Sequence, residues 1–316
     1  MEHDPSYKLL FSHPEMVADL LRGFVHEAWV AELDFASLEK VSGSYVADDL
    51  REREEDVIWR VRWGTEWLYV YLLLEFQSTI DRYMAVRVLV YLGLLYQDLI
   101  RSGQLTLDGR LPPVLPVVLY SGGPRWNAPA EVGELIVPVP GGLERYRPQF
   151  RYFLLDEGRF SDSELAPLRN LSAALFRLEN SRSPQDVEHV LAALADWLKA
   201  PEQASLRRAF TVWLKRVFLP GRMPRVEFAN LNELHEVRSM LAERVVEWTE
   251  EWKRQGLEEG LQQGEATMLW RQMELRFGPL DERLRARVQA ADAETLLRWG
   301  ERILTAATAE DVLADS

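Results

Sequence analysis

Asp56-Val57-Ile58-Trp59-Arg60-Val61-Arg62-Trp63, then Gly64-Thr65, then Glu66-Trp67-Leu68-Tyr69-Val70-Tyr71-Leu72-Leu73-Leu74-Glu75-Phe76-Gln77, reads as two strands around one tight turn. β-Branched and aromatic residues on either side of a glycine turn favour a hairpin. With Gly64-Thr65 as a two-residue loop, Trp63 pairs with Glu66, Asp56 falls opposite Leu73, and Glu54 falls opposite Glu75. Asp56, Glu75 and Gln77 then share one face. Opposed residues stand ~5 Å apart at Cβ and diagonal ones ~7–8 Å, so one Mg²⁺ (or Mn²⁺) can draw the Asp56 and Glu75 carboxylates together.

A lone Glu-x-Gln is most often a pair of polar residues on a solvated sheet face. The setting here is different. Leu72, Leu73 and Leu74 precede Glu75 without alternation, the pattern of a strand buried on both faces, and an acid at the end of such a strand needs a partner or a metal.

Four stretches carry a family resemblance: Asp4-Pro5-Ser6-Tyr7-Lys8-Leu9-Leu10-Phe11-Ser12-His13-Pro14-Glu15; Asp56 to Trp59; Leu74-Glu75-Phe76-Gln77-Ser78 with Asp81, Met84, Arg87 and Tyr91; and Leu115-Pro116-Val117-Val118-Leu119-Tyr120-Ser121-Gly122. In this order and spacing the chain resembles the recombination-promoting nucleases, or YhgA-like transposases, of the PD-(D/E)xK nuclease superfamily, over roughly residues 1–220. The resemblance implies an α/β, restriction-endonuclease-like core, a mixed central sheet flanked by helices, followed by a mostly α-helical C-terminal region. It also implies that Asp56, Glu75 and Gln77 are catalytic, with Asp56 and Glu75 as metal ligands. An acid on the first helix of such folds can reach the metal cluster, which makes Glu15 an accessory candidate beside Glu54 and Asp156. Two positions depart from the superfamily pattern: Glu55, not proline, precedes Asp56, and Gln77 stands where lysine is usual. Glutamine can orient a water but supplies no positive charge to a developing oxyanion.

The 316 residues suffice for one core of about 200 residues plus a smaller domain, and 47% hydrophobic with 28% charged is ordinary for a globular protein. There is no cysteine, which excludes disulfides and thiolate metal sites. The five histidines show no ligand spacing. Met1-Glu2-His3-Asp4 lacks the basic and apolar regions of a signal peptide, and no apolar run approaches the ~20 residues that span a bilayer. The expectation is a cytoplasmic protein with no membrane partner.

A net charge of −13 argues against nucleic-acid binding, since duplex affinity comes mainly from cations placed on phosphates. The charge is unevenly spread, however, and more than half of the deficit lies beyond Val226. Residues 205–225 contain no acid, and a helix there with Phe210, Val212, Trp213, Val217 and Phe218 on its apolar side leaves Arg208, Lys215 and Arg216 for a phosphate backbone or for pairing with the acidic tail. Arg87, one turn before Tyr91 on the helix after the hairpin, is a further DNA-binding candidate. Asp156 ends the apolar strand Tyr152-Phe153-Leu154-Leu155, where capping of a following turn also accounts for it.

Ser12-His13-Pro14-Glu15 has the form of a capping box opening a helix through Met16, Leu20, Leu21 and Phe24, which by itself accounts for Glu15. A helix is expected over 80–101, a buried strand over 115–120, and a helical extension from about 160. Pro220-Gly221-Arg222-Met223-Pro224 should stop any helix, which places a nuclease-like domain at 1–220 and a tail at 226–316. In the tail a long helix is expected from about Leu231 to Phe277. Gly256, Gly260 and Gly264 recur along it every four residues, a costly choice unless another helix approaches closely. That pattern suggests a homodimer through the C-terminal helix, against the alternative of a locally weak helix.

The function expected is a metal-dependent DNA endonuclease linked to recombination or mobile elements. The alternative from a different class is a non-catalytic DNA-binding or protein-interaction module on an inherited nuclease fold.

Overall fold

The structure is a computed structural model that describes residues 5–41, 57–75, 80–138, 141–223, 233–243 and 245–314. Glu54, Asp56 and Gln77 lie outside the described residues, and Glu75 is described by its backbone. The chain divides into two compact units, 1–244 and 245–316. Among the described residues no helix is long and apolar enough to cross a membrane.

The first unit is built on a mixed five-stranded sheet of order β1-β2-β3-β4-β5. The strands are β1 (Leu33–Lys40), β2 (Val57–Trp63), β3 (Glu66–Glu75), β4 (Val114–Tyr120) and β5 (Phe153–Asp156). β1, β2 and β3 pair antiparallel, and β3, β4 and β5 pair parallel. The hairpin closes with Trp63 opposite Glu66, and Gly64 takes φ +61° while no non-glycine residue among those described has a positive φ. A positive φ at the first central position alone is the signature of a type II′ loop, whose twist suits the flanking strands. Arg62 lies 3.8 Å over the Trp67 ring beside this turn, so the pair across the loop also stacks.

Over its described side chains β3 is covered on both sides, with Leu68, Tyr69, Val70, Tyr71 and Leu72 all buried. Tyr69 and Tyr71 are buried in a cluster with Met84, Val88, Tyr91, Leu95 and Leu99 of helix α3 (Met84–Arg101) and with Val118 and Tyr120 of β4. Helices α1 (Pro5–Leu10) and α2 (Pro14–Phe24) cover the other face: Trp59, out of phase with Ile58 of that cluster, donates its indole N–H to the Phe11 carbonyl at 2.9 Å. α2 is locked to helix α5 (Leu171–Asn180) through Asp19, whose carboxylate accepts the Leu171 N–H at 2.6 Å. The short helix α4 (Asp162–Leu165) between β5 and α5 does carry a reciprocal capping box, from Ser161 and Glu164.

One local expectation is corrected. The box at Ser12 does not form: α2 begins at Pro14, which makes His13 its N-cap, without a side-chain cap. Ser12 instead donates to the Lys8 carbonyl at 2.5 Å and accepts from Lys40 at 2.6 Å, closing the end of α1. The helix before the proline-glycine segment enters it and ends within it, at Arg222. Helix α7 (Ala204–Trp213), which follows helix α6 (Pro184–Trp197), passes through a π turn (Leu214–Phe218) into helix α8 (Leu219–Arg222), with Pro220 at its start. A proline is tolerated in the first turn of a helical segment because its missing N–H has no obligatory partner there. The first unit then continues through helix α9 (Leu234–Glu243), whose Leu234, Val237 and Leu241 are buried, and residues 245–277 are helical as well, so the described part of the stretch expected as helix from 231 to 277 is helical from Leu234 on.

The second unit has its own core. Helix α10 (Val245–Phe277) lays Ala266, Leu269 and Met273 against Leu284 and Val288 of α11 (Glu282–Ala290), Leu296 and Trp299 of α12 (Ala293–Arg302), and Val312 of α13 (Ala309–Val312). Arginines tie the chain end down: Arg276 donates to the Ala306 carbonyl at 2.8 Å and Arg287 to that of Leu313 at 2.7 Å. Leu297 and Leu304 of this unit are 63% and 76% exposed. Among the described residues, a β-carbon at Gly260 or Gly264 would meet no atom within 4 Å.

Candidate active site at the carboxyl edge of the sheet

The three parallel strands end in step. Glu75 pairs with Tyr120, and Tyr120 pairs with Asp156, which sets one acid at each end of a three-residue row across β3, β4 and β5. In parallel-stranded α/β sheets ligands gather outside the carboxyl ends of the strands, so this edge is where a site is expected. On β2 the last described pair is Val57 with Leu72, and Asp56 is the next residue.

Tyr120 is fully buried, and its hydroxyl donates to the Pro124 carbonyl at 2.8 Å. Its ring folds back under the turn that follows β4, where Gly122 is required: any β-carbon at 122 would collide with it. Trp126 continues the aromatic floor, edge-on to Tyr120 at 4.9 Å, and its indole N–H meets the Tyr152 hydroxyl at 3.0 Å. Burial raises the Tyr152 pKa to about 12, with the Trp126 N–H opposing and Asp81 and Glu134 adding to the rise, so this phenol stays neutral in the physiological range.

Asp156 is buried, yet it is held by charge. Its carboxylate accepts the Trp126 backbone N–H at 3.3 Å and lies 3.3 Å from Arg159 Nε and 3.8 Å from Arg125 Nη1. The turn it precedes (Glu157–Arg159) receives no cap from its side chain. Sequence reasoning missed both arginines. Arg159 carried an i,i+3 signal from Asp156, and Arg125 follows the glycine-proline turn after β4.

The next residue faces different partners. Glu157 is buried, hydrogen-bonds with Glu179 of α5, and lies in the field of Asp156. Tyr7 of α1 donates its hydroxyl to Glu179, and Arg222 donates to the Glu179 backbone carbonyl at 2.9 Å. Burial and then the Glu179 charge drive the Glu157 pKa well above the carboxylate range. Burial raises that of Glu179 as well, with hydrogen bonds from Glu157 and Tyr7 opposing, so the two buried carboxyls hold a proton between them.

The other sequence candidates are distributed around this edge. Arg87 donates Nε–H to the Tyr91 hydroxyl at 2.8 Å along α3. Glu15 is exposed in the first turn of α2, in the layer covering the face opposite α3. Arg208 and Arg216 are exposed and Lys215 is half-buried on the α7 segment, which packs on α1 and α9 in that same layer. The structure therefore brings Asp156 and the Glu75 backbone into one row and leaves Glu15, Arg208, Lys215 and Arg216 outside it. Among the described residues no group of three or more histidine, aspartate and glutamate side chains could hold a metal ion.

Fold and strand-end acids together define an α/β protein of the nuclease-like type. The family described as "Putative transposase, YhgA-like" matches residues 1–207, and the chain belongs to it. Among curated proteins it is 33% identical over 120 residues to recombination-promoting nuclease RpnA of Escherichia coli (strain K12), covering 38% of this chain and 40% of the relative. It is 30% identical over 122 residues to recombination-promoting nuclease RpnD of Escherichia coli O157:H7, covering 38% and 45%. It is 28% identical over 120 residues to the inactive recombination-promoting nuclease-like protein RpnE of Escherichia coli (strain K12), covering 38% and 39%. The chain thus spans about two fifths of the length of the curated relatives it matches. No solved structure gives a significant match.

Proposed function

We propose that this chain is a metal-dependent DNA endonuclease that hydrolyses phosphodiester bonds, with a role in recombination or mobile-element biology. The observation that carries the reading is the placement of Glu75 at the end of a strand covered on both faces, laterally paired with the fully buried Tyr120. An acid in that setting calls for a compensating charge. Asp156 already has its own in Arg125 and Arg159. The residues suit a hard divalent cation, because Asp56 and Glu75 offer carboxylate oxygens and the chain has no thiolate. Asp56 and Glu75 would hold it. When bound, such an ion lowers the pKa of an attacking water and offsets charge on the phosphate. Gln77 would orient that water through its side-chain amide, without the positive charge a lysine brings.

Plasmid DNA incubated with the purified chain and Mg²⁺, Mn²⁺ or chelator tests the reading: cleavage with either metal and none with chelator is expected. Cleavage in chelator, or none in any lane, overturns it. One observation favours a second reading, a non-catalytic DNA-binding module: two similar relatives carry names that call them inactive. DNA binding without cleavage under every metal condition would select it.

A further inference from the structure

The geometry points to Arg125 and Arg159 as a phosphate clamp for the DNA backbone, with Asp156 as the positioning residue that holds both guanidiniums at the carboxyl edge of the sheet. This assignment rests on the nuclease reading and adds to it the residues that seat the substrate beside Glu75.

The first argument is an imbalance of charge and exposure. The Asp156 side chain is 2% exposed, while those of Arg125 and Arg159 are 63% and 60% exposed. One cation suffices to compensate one buried carboxylate. Here two are anchored to it, which leaves a net positive charge in a chain that is acidic overall. Each contact uses one nitrogen, Nη1 of Arg125 and Nε of Arg159, and a guanidinium carries five N–H donors in a planar fork suited to phosphate.

The second argument is position. Asp156 shares its register row with Tyr120 and Glu75. Neighbouring strands lie ~4.8 Å apart, so the backbones of the two acids are about 10 Å apart. A DNA strand advancing ~3.4 Å per nucleotide along that row covers the distance in about three nucleotides. The clamp and the candidate metal ligands therefore engage one continuous stretch of backbone.

The third is a vacancy kept for the clamp. A β-carbon at Gly158 would stand 3.1 Å from Arg125 Nη1 and 3.6 Å from the Asp156 carboxylate. Glycine at 158 lets the turn pass behind the arginine without displacing it. Arg125 comes from the turn after β4 and Arg159 from the turn after β5, so two loops converge on one carboxylate.

The test measures affinity of the full chain for a short duplex in chelator, by fluorescence anisotropy across a salt series. Arg125→Gln with Arg159→Gln should weaken binding tenfold or more and lower the magnitude of the log K against log salt slope by about two. Because removing both cations strands a buried carboxylate, Arg125→Gln alone, which loses the longer contact, is the second variant, with an expected slope change of about one. Arg125→Lys with Arg159→Lys should restore the slope, which a purely structural role does not predict. Arg110→Gln, in the loop before β4 at the other end of the strand, should leave the slope unaltered. A wild-type slope in the folded Arg125→Gln variant overturns the clamp while plasmid cleavage still stands. No duplex binding by the wild-type chain overturns the clamp and the nuclease reading together.

Discussion

Asp156 and Glu157 are consecutive and both buried, yet one is matched by cations and the other by a proton. At Asp156, on the α3 side beside Trp126, the partners are two arginines from solvent-facing turns. At Glu157, against α1 and α5, the partners are a second carboxyl and, through it, a tyrosine. The difference lies in what each face of the sheet can reach. The α3 side opens to loops at the carboxyl edge, where long cationic side chains remain hydrated while touching a buried acid. The other side is closed by helices, where a shared proton compensates the charge more cheaply than a buried ion.

The largest test of this division concerns the open edge. Asp56→Asn and Glu75→Gln keep shape and remove the charge that would hold a metal, so each should reduce Mg²⁺-dependent plasmid cleavage to background while far-ultraviolet circular dichroism is unchanged. Gln77→Ala should lose about a hundredfold, since it removes only a water-orienting hydrogen bond. Undiminished cleavage by the Asp56 and Glu75 variants would move the chemistry away from this edge.

Next in size is Asp156→Ala. The arginines are exposed enough to stay hydrated, so the main cost is the Trp126 N–H left without its acceptor, about 1–3 kcal/mol. Urea denaturation at pH 7 measures it, and a stabilised variant would contradict the anchoring role.

Glu157→Gln should act with the opposite sign above neutrality. The folded chain keeps a proton on the Glu157–Glu179 pair that the unfolded chain releases above about pH 4.3. That contribution is complete below the unfolded pKa and is lost as pH rises through the raised folded value. The wild-type urea midpoint should therefore fall between pH 5 and 8, and the variant should fall less and be the more stable at pH 8. Parallel profiles for the two proteins would remove the shared proton from the account.

The smallest effect is expected on the helical layer. Changing Arg208, Lys215 and Arg216 to glutamine should lower the DNA-binding salt slope by at most about three, and by less per residue than the clamp variants, since this segment packs on α1 and α9 rather than at the carboxyl edge. Equal or larger losses per residue would shift the DNA footprint to that layer.

The sheet was legible because its signals are local. Gly64 sets the hairpin register, the leucines of β3 announce burial on two faces, and Glu75 follows directly from both. The parallel row was not legible, because the pairing of β3 with β4 and β5 joins segments separated by long connections. The Tyr7–Glu179 contact spans 172 residues, and no pattern around either residue announces it. Ser12 misled for a different reason: it has the chemistry of a helix boundary, but the end of α1 used that chemistry first. The glycines of α10 suggested a close neighbour, and at Gly260 and Gly264 the described residues supply none.

The turn after β4 has a consequence for how this sequence can drift. Because the Tyr120 ring occupies the space a side chain at 122 would need, the two positions are not free to vary independently. Tyr120→Phe does not release the constraint, since the ring itself and not only its hydroxyl fills that space. A side chain at 122 becomes tolerable only after 120 has shrunk below an aromatic ring, and that step opens the floor beneath Trp126. The pair should behave in a saturation-mutagenesis survey as one heritable unit: glycine alone accepted at 122 while 120 is aromatic, and any wider choice at 122 appearing only in backgrounds already altered at 120.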